Sequence, residues 1–238
     1  MKIAVISGNI KRRFLINFRI DPKVLQNILP KHFKPILVNG YAVGGICLIR
    51  LENIKPKFIK INLGINSENA AHRFAVKFNN KECVYIPRRD TDSRINNLVG
   101  GRLFPGIHYH STFDIEKEDK KYNFHMESDD RKVKINFKGS VSKSFEENSI
   151  FSNLEQSSQF FCNGSLGYSD TRKTNKFDGI ELKTNTWKVL PFKISELYSS
   201  YFEDQNLFPK NSIKYDHSLF MEEINHEWIN SKKISRPY

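Results

Sequence analysis

The sequence predicts a mainly β protein with a few short helices: a curled or closed antiparallel β-barrel formed as a single domain over residues 1–238. Three observations carry this expectation. Phenylalanine is abundant, at 19 residues, and alanine is scarce; aromatic and β-branched side chains suit a pleated, half-buried surface. About ten segments read as strands bounded by short turn signals. No internal repeat or low-complexity linker divides the chain, and closing so many strands on themselves removes unpaired edges.

The elements follow in order. Residues 13–20 (RFLINFRI) place Phe14, Ile16, Phe18 and Ile20 on one face, the period-two signature of a strand. Asp21-Pro22 then supplies an N-cap and a first helical residue. Val24, Leu25, Ile28 and Leu29 give that short helix its apolar face, and Pro30 stops it. Residues 41–51 are almost continuously apolar, as in a strand covered on both faces, with Gly44-Gly45 leaving room for a bulge or a close approach. Residues 71–78 and 82–87 read as a hairpin around Asn79-Asn80-Lys81. Thr91 or Asp92 caps a short helix through Ile95, Leu98 and Val99 that ends at Gly100-Gly101. Three meander strands follow at 108–116, 122–128 and 132–141, the last pair joined through Asp129-Asp130. Ser152-Asn153-Leu154-Glu155 reads as a capping box for a helix reaching Phe161. A glycine-rich turn at 163–167 leads to a strand at 179–194, interrupted near Pro191, and then to a helix over 195–204. Residues 216–229 fit either a long strand or a helix.

The formal net charge of +12 raises the question of nucleic acid or membrane binding. The distribution answers it. Residues 1–60 hold 12 Lys and Arg against Asp21 and Glu52, mostly as scattered lysine, and Lys11-Arg12-Arg13 is the one tight cluster, read as a solvated face. Neither nucleic acid nor membrane is an expected partner. Cys47, Cys83 and Cys162 are odd in number and widely spaced, which suits a reducing, cytoplasmic location and suggests neither disulfides nor a cysteine-rich metal site.

Residues 85–110 (YIPRRDTDSRINNLVGGRLFPGIHYH) concentrate Arg88, Arg89, Arg94 and Arg102, with Arg73 on the preceding strand, and contain no lysine. A guanidinium presents a planar fork of donors matched to carboxylate or phosphate. The stretch therefore reads as a site for a small anion; the alternative is that these arginines pair with Asp90, Asp92 and neighbouring acids as a solvated network. His108 and His110 alternate along a strand and share a face, as two ligands of one ion would, but the spacing matches no metal motif and no metal or other cofactor is expected. His226-Glu227 has no second histidine at zincin spacing, and 163–167 lacks the first glycine of a nucleophile elbow.

Five segments in order give a resemblance to a known family. They are Phe18-Arg19-Ile20-Asp21-Pro22 with Leu25, Leu29 and Pro30; residues 84–92; Gly101-Arg102-Leu103-Phe104-Pro105-Gly106; Asn163-Gly164-Ser165 with Gly167-Tyr168-Ser169; and Asp216-His217 with His226-Glu227-Trp228. Over nearly its whole length the chain resembles the acetoacetate decarboxylase-like superfamily, and more closely its YqjF-like branch. The resemblance implies a cone-like β-barrel around a small-molecule pocket. Decarboxylases of that superfamily form a Schiff base on a lysine directly after a Tyr-Pro pair. Here the corresponding pair is Phe104-Pro105, followed by Gly106 and Ile107, and glycine cannot form an imine. The implication is a pocket without that decarboxylation, unless a distant lysine such as Lys77 reaches it. An arginine near the start of the family's first strand is matched by Lys11 or Arg12.

The expected ligand is a small organic anion or carbonyl metabolite. Arg88, Arg89, Arg102, Asp90 and Phe104 form the expected binding set, with His108 or His110 as proton-transfer groups near neutral pH. A second reading, from another class, is a non-catalytic protein, and possible homo-oligomer, that uses its basic N-terminal region to meet an acidic surface.

Overall fold

The computed structural model describes residues 5–60, 64–94, 106–171, 176–230 and 234–235. In chain order the strands are β1 (Val5–Ile20), β2 (Lys34–Pro35), β3 (Leu37–Val38), β4 (Tyr41–Pro56), β5 (Ile65–Phe78), β6 (Lys81–Thr91), β7 (His108–Glu118), β8 (Lys121–Ser128), β9 (Lys134–Val141), β10 (Leu166–Asp170), β11 (Lys176–Lys183), β12 (Leu190–Ser199), β13 (Ile213–Asn230) and β14 (Ile234–Ser235). Helix α1 (Pro22–Ile28) follows β1, and α2 (Leu154–Asn163) precedes β10. Neither helix is long and apolar enough to cross a membrane.

The strands close twice. Nine of them, β1, β4, β5, β6, β7, β8, β9, β12 and β13, form a barrel that the β5–β6 pairing completes. Apart from the parallel β6–β7 contact, its pairings are antiparallel. A second closure uses the shared wall β13-β1-β4-β5-β6 and completes itself through the β10–β11 hairpin, β10 lying parallel to β6 and β11 antiparallel to β13. The strands β6 and β13 are thus forks, each serving both enclosures. Both faces of the shared wall are interior, which explains the near-continuous apolar run of β4.

The nine-stranded barrel is filled. Alternation puts Phe14, Ile16 and Ile20 of β1 inside it, where Phe14 meets Tyr122, Phe137 and Phe192 with ring centroids 5.0–5.1 Å apart, mostly edge-to-face. Phe124 stacks on Phe137 at 5.0 Å, so rings from four strands interlock. The opposite face of the wall carries Ile10, Leu15, Cys47, Leu51 and Ala75, which pack with Phe151 and Phe161 around α2 as a second apolar layer.

One irregularity aims the site. Between β5 and β6 the register passes from His72↔Arg88 to Phe74↔Tyr85, so Ile86 and Pro87 together oppose Arg73. Such a bulge reverses which side chains face which way, and proline, with no amide hydrogen, is at home there. Cys83 and Tyr85 face the barrel before it, and Arg88 and Asp90 after it, so Arg89 joins Val84 and Ile86 on the other face.

Several sequence expectations hold as read. Asp21 caps α1 through Lys23 N at 2.7 Å, and the 79–80 turn has both asparagines at positive φ, 49° and 62°, the conformation of a tight hairpin. Others change. Asn153, accepting from Gln156 N at 2.9 Å, caps α2, and Gln156 rather than Glu155 returns the bond to Ser152 N at 2.7 Å. The helix expected over 195–204 is instead the end of β12, pairing with β9 as far as Ser199↔Ile135; the open edge of β9 needs a partner, and pairing outweighs local helical spacing. The strand expected at 179–194 is two strands, β11 and β12, and 216–229 lies within β13. The helix expected through Ile95, Leu98 and Val99 lies outside the described residues.

Candidate functional site

A cavity of about 120 Å³ lies in the second enclosure, between the shared wall, the β10–β11 hairpin and the C-terminal end of α2. Its floor follows from the strand registers. Leu15, Cys47, Ala71, Arg89 and His108 form one row across β1, β4, β5, β6 and β7. Arg13↔Ile49↔Asn69 lies on one side of it and Asn17↔Gly45↔Arg73 on the other. Small Ala71 at the centre leaves the hollow, and Arg13, Arg73 and Arg89 surround it.

Each of these arginines is held through one nitrogen by a side chain that is not a carboxylate. Arg13 Nε donates to Cys47 Sγ at 3.2 Å, Arg73 Nη2 to Asn17 Oδ1 at 2.6 Å, and Arg89 Nε to Ser169 Oγ at 3.0 Å. Arg73 also lies over the Phe161 ring at 4.7 Å and Arg13 over Trp187 at 5.7 Å. Glycine makes two of these contacts fit. A Cβ on Gly45 would stand 2.3 Å from Ile16 O and 3.2 Å from Asn17 Oδ1, across the line that Arg73 takes; one on Gly106, at φ +93°, would stand 2.7 Å from Ser169 Cβ.

Among the described residues none of the three forms an ion pair with a carboxylate, and Arg13 Nη1 and Arg73 Nε are buried without any hydrogen-bond partner. Burial without countercharge pulls Arg73 and Arg89 down to about 10, still cationic at neutral pH. His108, beside them, is driven to about 3 by burial and by the Arg89 charge, so its imidazole is neutral under ordinary conditions. The rest of the lining is largely apolar: Leu51 and Trp228 from the shared wall, and Ile180, Leu182 and Trp187 across from it.

A buried chain of hydrogen bonds stands behind Arg73. Asp216 Oδ2 accepts from His217 Nδ1 at 2.6 Å, and His217 Nε2 lies 2.7 Å from Ser157 Oγ and 3.2 Å from Asn17 Nδ2. Ser149 Oγ and Ile150 N also donate to Asp216. Burial disfavours a charge on either partner; for Asp216 the hydrogen bonds outweigh it and its pKa falls, whereas for His217 burial prevails and its pKa falls too, so the ring is neutral. The Ser157-His217-Asp216 connectivity is that of a hydrolytic triad, but Ser157 is fully buried and the His217 ring is packed against Phe145, Phe151 and Phe161. The network fixes α2 and, through Asn17, Arg73.

The structure distributes the sequence-predicted set over different places. Arg89 and His108 line the cavity. Arg88 faces the other way, into the end of the barrel, bonded to Asp90 at 2.8 Å and to Asp130 at 3.0 Å and lying over Tyr109 at 4.0 Å. Burial opposes its charge, but the two carboxylates outweigh that and raise its pKa, while Arg88 holds Asp130 below the usual carboxylate range. Asp90 touches the cavity rim, but its carboxylate is taken by Arg88 and by Ser111 at 3.1 Å. His110 pairs with exposed Asp129 at 2.9 Å, and Arg94 is exposed. Arg102 and Phe104 lie outside the described residues.

The basic cluster also divides. Lys11 pairs with Glu223 and Arg12 with Glu68, whereas Arg13 turns into the cavity, so the arginine facing the site from the first strand is neither Lys11 nor Arg12. Strand parity held the signal: Arg13, Leu15 and Asn17 share the face opposite Phe14, and a strand buried on both sides must place all of them inside.

The fold and this cavity define an acetoacetate decarboxylase-like barrel. Solved structures show the same architecture: acetoacetate decarboxylase from Legionella pneumophila subsp. pneumophila str. Philadelphia 1 (12% identity, TM-score 0.64, covering 97% of this chain and 87% of that one) and an acetoacetate decarboxylase-like enzyme from Sphingomonas wittichii RW1 (9%, 0.59, 100% and 94%). The enduracididine biosynthesis enzyme MppR complexed with pyruvate is similar too (7%, 0.60, 99% and 91%). At these identities the likeness concerns the fold. The chain itself belongs to DUF2071, described as "Uncharacterized conserved protein (COG2071)", whose family model matches residues 9–223. No curated protein matches it.

Proposed function

We propose that this protein binds a small organic anion in the cavity between the shared wall and the β10–β11 hairpin, and that it does so without imine chemistry. One observation carries the reading: Arg13, Arg73 and Arg89 converge on one hollow, anchored by a thiol, an amide and a hydroxyl and with no carboxylate partner among the described residues. Buried charges in folded proteins are ordinarily paired, so an unpaired set marks the place of an absent partner. An anion there gains charge-assisted hydrogen bonds of roughly 1.5–3 kcal/mol each.

The absence of lysine from the described lining supports the second half of the proposal, as does the exposure of Lys77 on β5, away from the cavity. At Gly106 the positive φ and the closeness of Ser169 leave no room for any side chain. If a reaction occurs here, neutral His108 is a hydrogen-bond partner for substrate rather than a group that titrates near pH 7.

The test is a thermal-shift survey of carboxylates, keto acids and phosphates against the intact chain and Arg89→Ala. Stabilisation of the parent by some of these anions, lost in the variant, is expected. No shift with any anion would refute the reading. Borohydride trapping with keto acids should leave the mass of the chain unchanged; a reduced adduct would refute the lysine-free chemistry.

A further inference from the structure

Resting on the anion-pocket reading, we infer that the ligand class is an amphipathic anion with at least two negative charges at one end and a compact apolar, ring-sized body at the other. The charge requirement comes from the number and tethering of the guanidinium groups. Three converge, each tied by one nitrogen to a thiol, amide or hydroxyl side chain, and this orients them without a carboxylate partner among the described residues. Two buried donors, Arg13 Nη1 and Arg73 Nε, find no acceptor among the described residues. A single carboxylate engages one fork and leaves excess positive charge enclosed; a dicarboxylate or a phosphate monoester supplies oxygens and charge enough for several.

The body requirement comes from the apolar part of the lining. Leu51, Ile180, Leu182 and Trp228 supply no charge, and Trp187 is fixed by its own bond from Nε1 to Ser158 Oγ at 3.0 Å, leaving its ring as surface. A wholly polar anion would leave this part facing water, whereas an apolar ring would cover it. The small volume limits that body to about one ring or a short chain.

The chain contains two tryptophans, Trp187 and Trp228, and both line this cavity, so its tryptophan fluorescence reports on this one place. The intact chain is titrated at mildly alkaline pH with benzoate, phthalate, phenyl phosphate, succinate and inorganic phosphate. Phthalate and phenyl phosphate are expected to bind at least about tenfold more tightly than benzoate, a difference of ~1.4 kcal/mol, and than their ring-free counterparts. Arg13→Gln should narrow the gap between phthalate and benzoate, and Arg89→Lys, which keeps the charge and alters the fork, serves as a second variant if the first does not fold.

The outcomes separate cleanly. Equal binding of benzoate and the dianions would overturn the charge requirement and leave the anion pocket standing. Equal binding of succinate and phthalate would overturn the apolar body. No fluorescence change and no thermal shift with any of the five would overturn the pocket itself.

Discussion

The two faces of the wall formed by β1, β4, β5 and β6 are made by the same strands yet follow opposite rules. On the barrel side, the buried charge is paired: Arg88 answers Asp90 and Asp130, and Phe14 sits in a ring of aromatic partners. On the cavity side, cations of the same residue type border a hollow with no carboxylate partner among the described residues. Local chemistry alone does not separate Arg88 from Arg89, which are adjacent. The bulge at Pro87 does, by sending one to a structural pair and the other to the cavity. Buried arginine is thus informative about function only once its partner is known.

This contrast can be broken from either side. The largest effect is expected at Phe14→Ala, which empties the barrel's aromatic centre and should lower unfolding stability by about 3–5 kcal/mol in chemical denaturation. Next comes Arg88→Ala, which strands the fully buried Asp90 carboxylate and should cost about 3 kcal/mol. A loss below about 0.5 kcal/mol, the range of an exposed pair, would return Arg88 to the solvated surface.

A smaller effect concerns pH. His72 is fully buried on the barrel side with neither ring nitrogen bonded, packs on Tyr201 at 4.4 Å, and burial lowers its pKa from 6.5 to about 3. The unfolded chain therefore takes up a proton below pH 6.5 that the folded chain refuses. Its contribution is complete above pH 6.5 and is lost as pH falls toward 3, by up to about 1.4 kcal/mol per pH unit. Denaturation midpoints measured across that window should fall less steeply for His72→Phe, whatever its stability at neutral pH. The smallest effect has the opposite sign: Arg89→Met removes an uncompensated charge and should raise the unfolding free energy of the ligand-free protein by about 1 kcal/mol, while abolishing anion binding. A large destabilisation would mean that Arg89 is structural.

Much of the fold was legible from residues 13–20, from Asp21-Pro22 and from the 79–80 turn, because each carries a local signal that tertiary packing reinforces. β12 was misread since Ile194, Leu197 and Tyr201 have helical spacing, and only the edge of β9, far away in sequence, decides the matter. β13 was ambiguous because alternation vanishes in a strand buried on both sides. In the site, the arginine-rich stretch pointed to the right neighbourhood, and Arg89 and His108 are in the cavity lining. Pro87 within an otherwise regular strand was the available clue that parity reverses before Arg88. Arg13 was hidden by its basic neighbours, and Trp187 and Trp228 by their distance along the chain from everything else they border.

The β10–β11 hairpin hangs from the fork strands by short ladders, three residue pairs to β6 and four to β13, and contributes nothing to the nine-strand closure. Its outer face is tied into the aromatic core through Tyr168 and Phe177, so the part free to vary is the face turned to the cavity. New side chains at positions such as 180 and 182 can reshape what the cavity admits while the aromatic barrel folds as before, so selectivity in this architecture is free to drift faster than the scaffold that carries it.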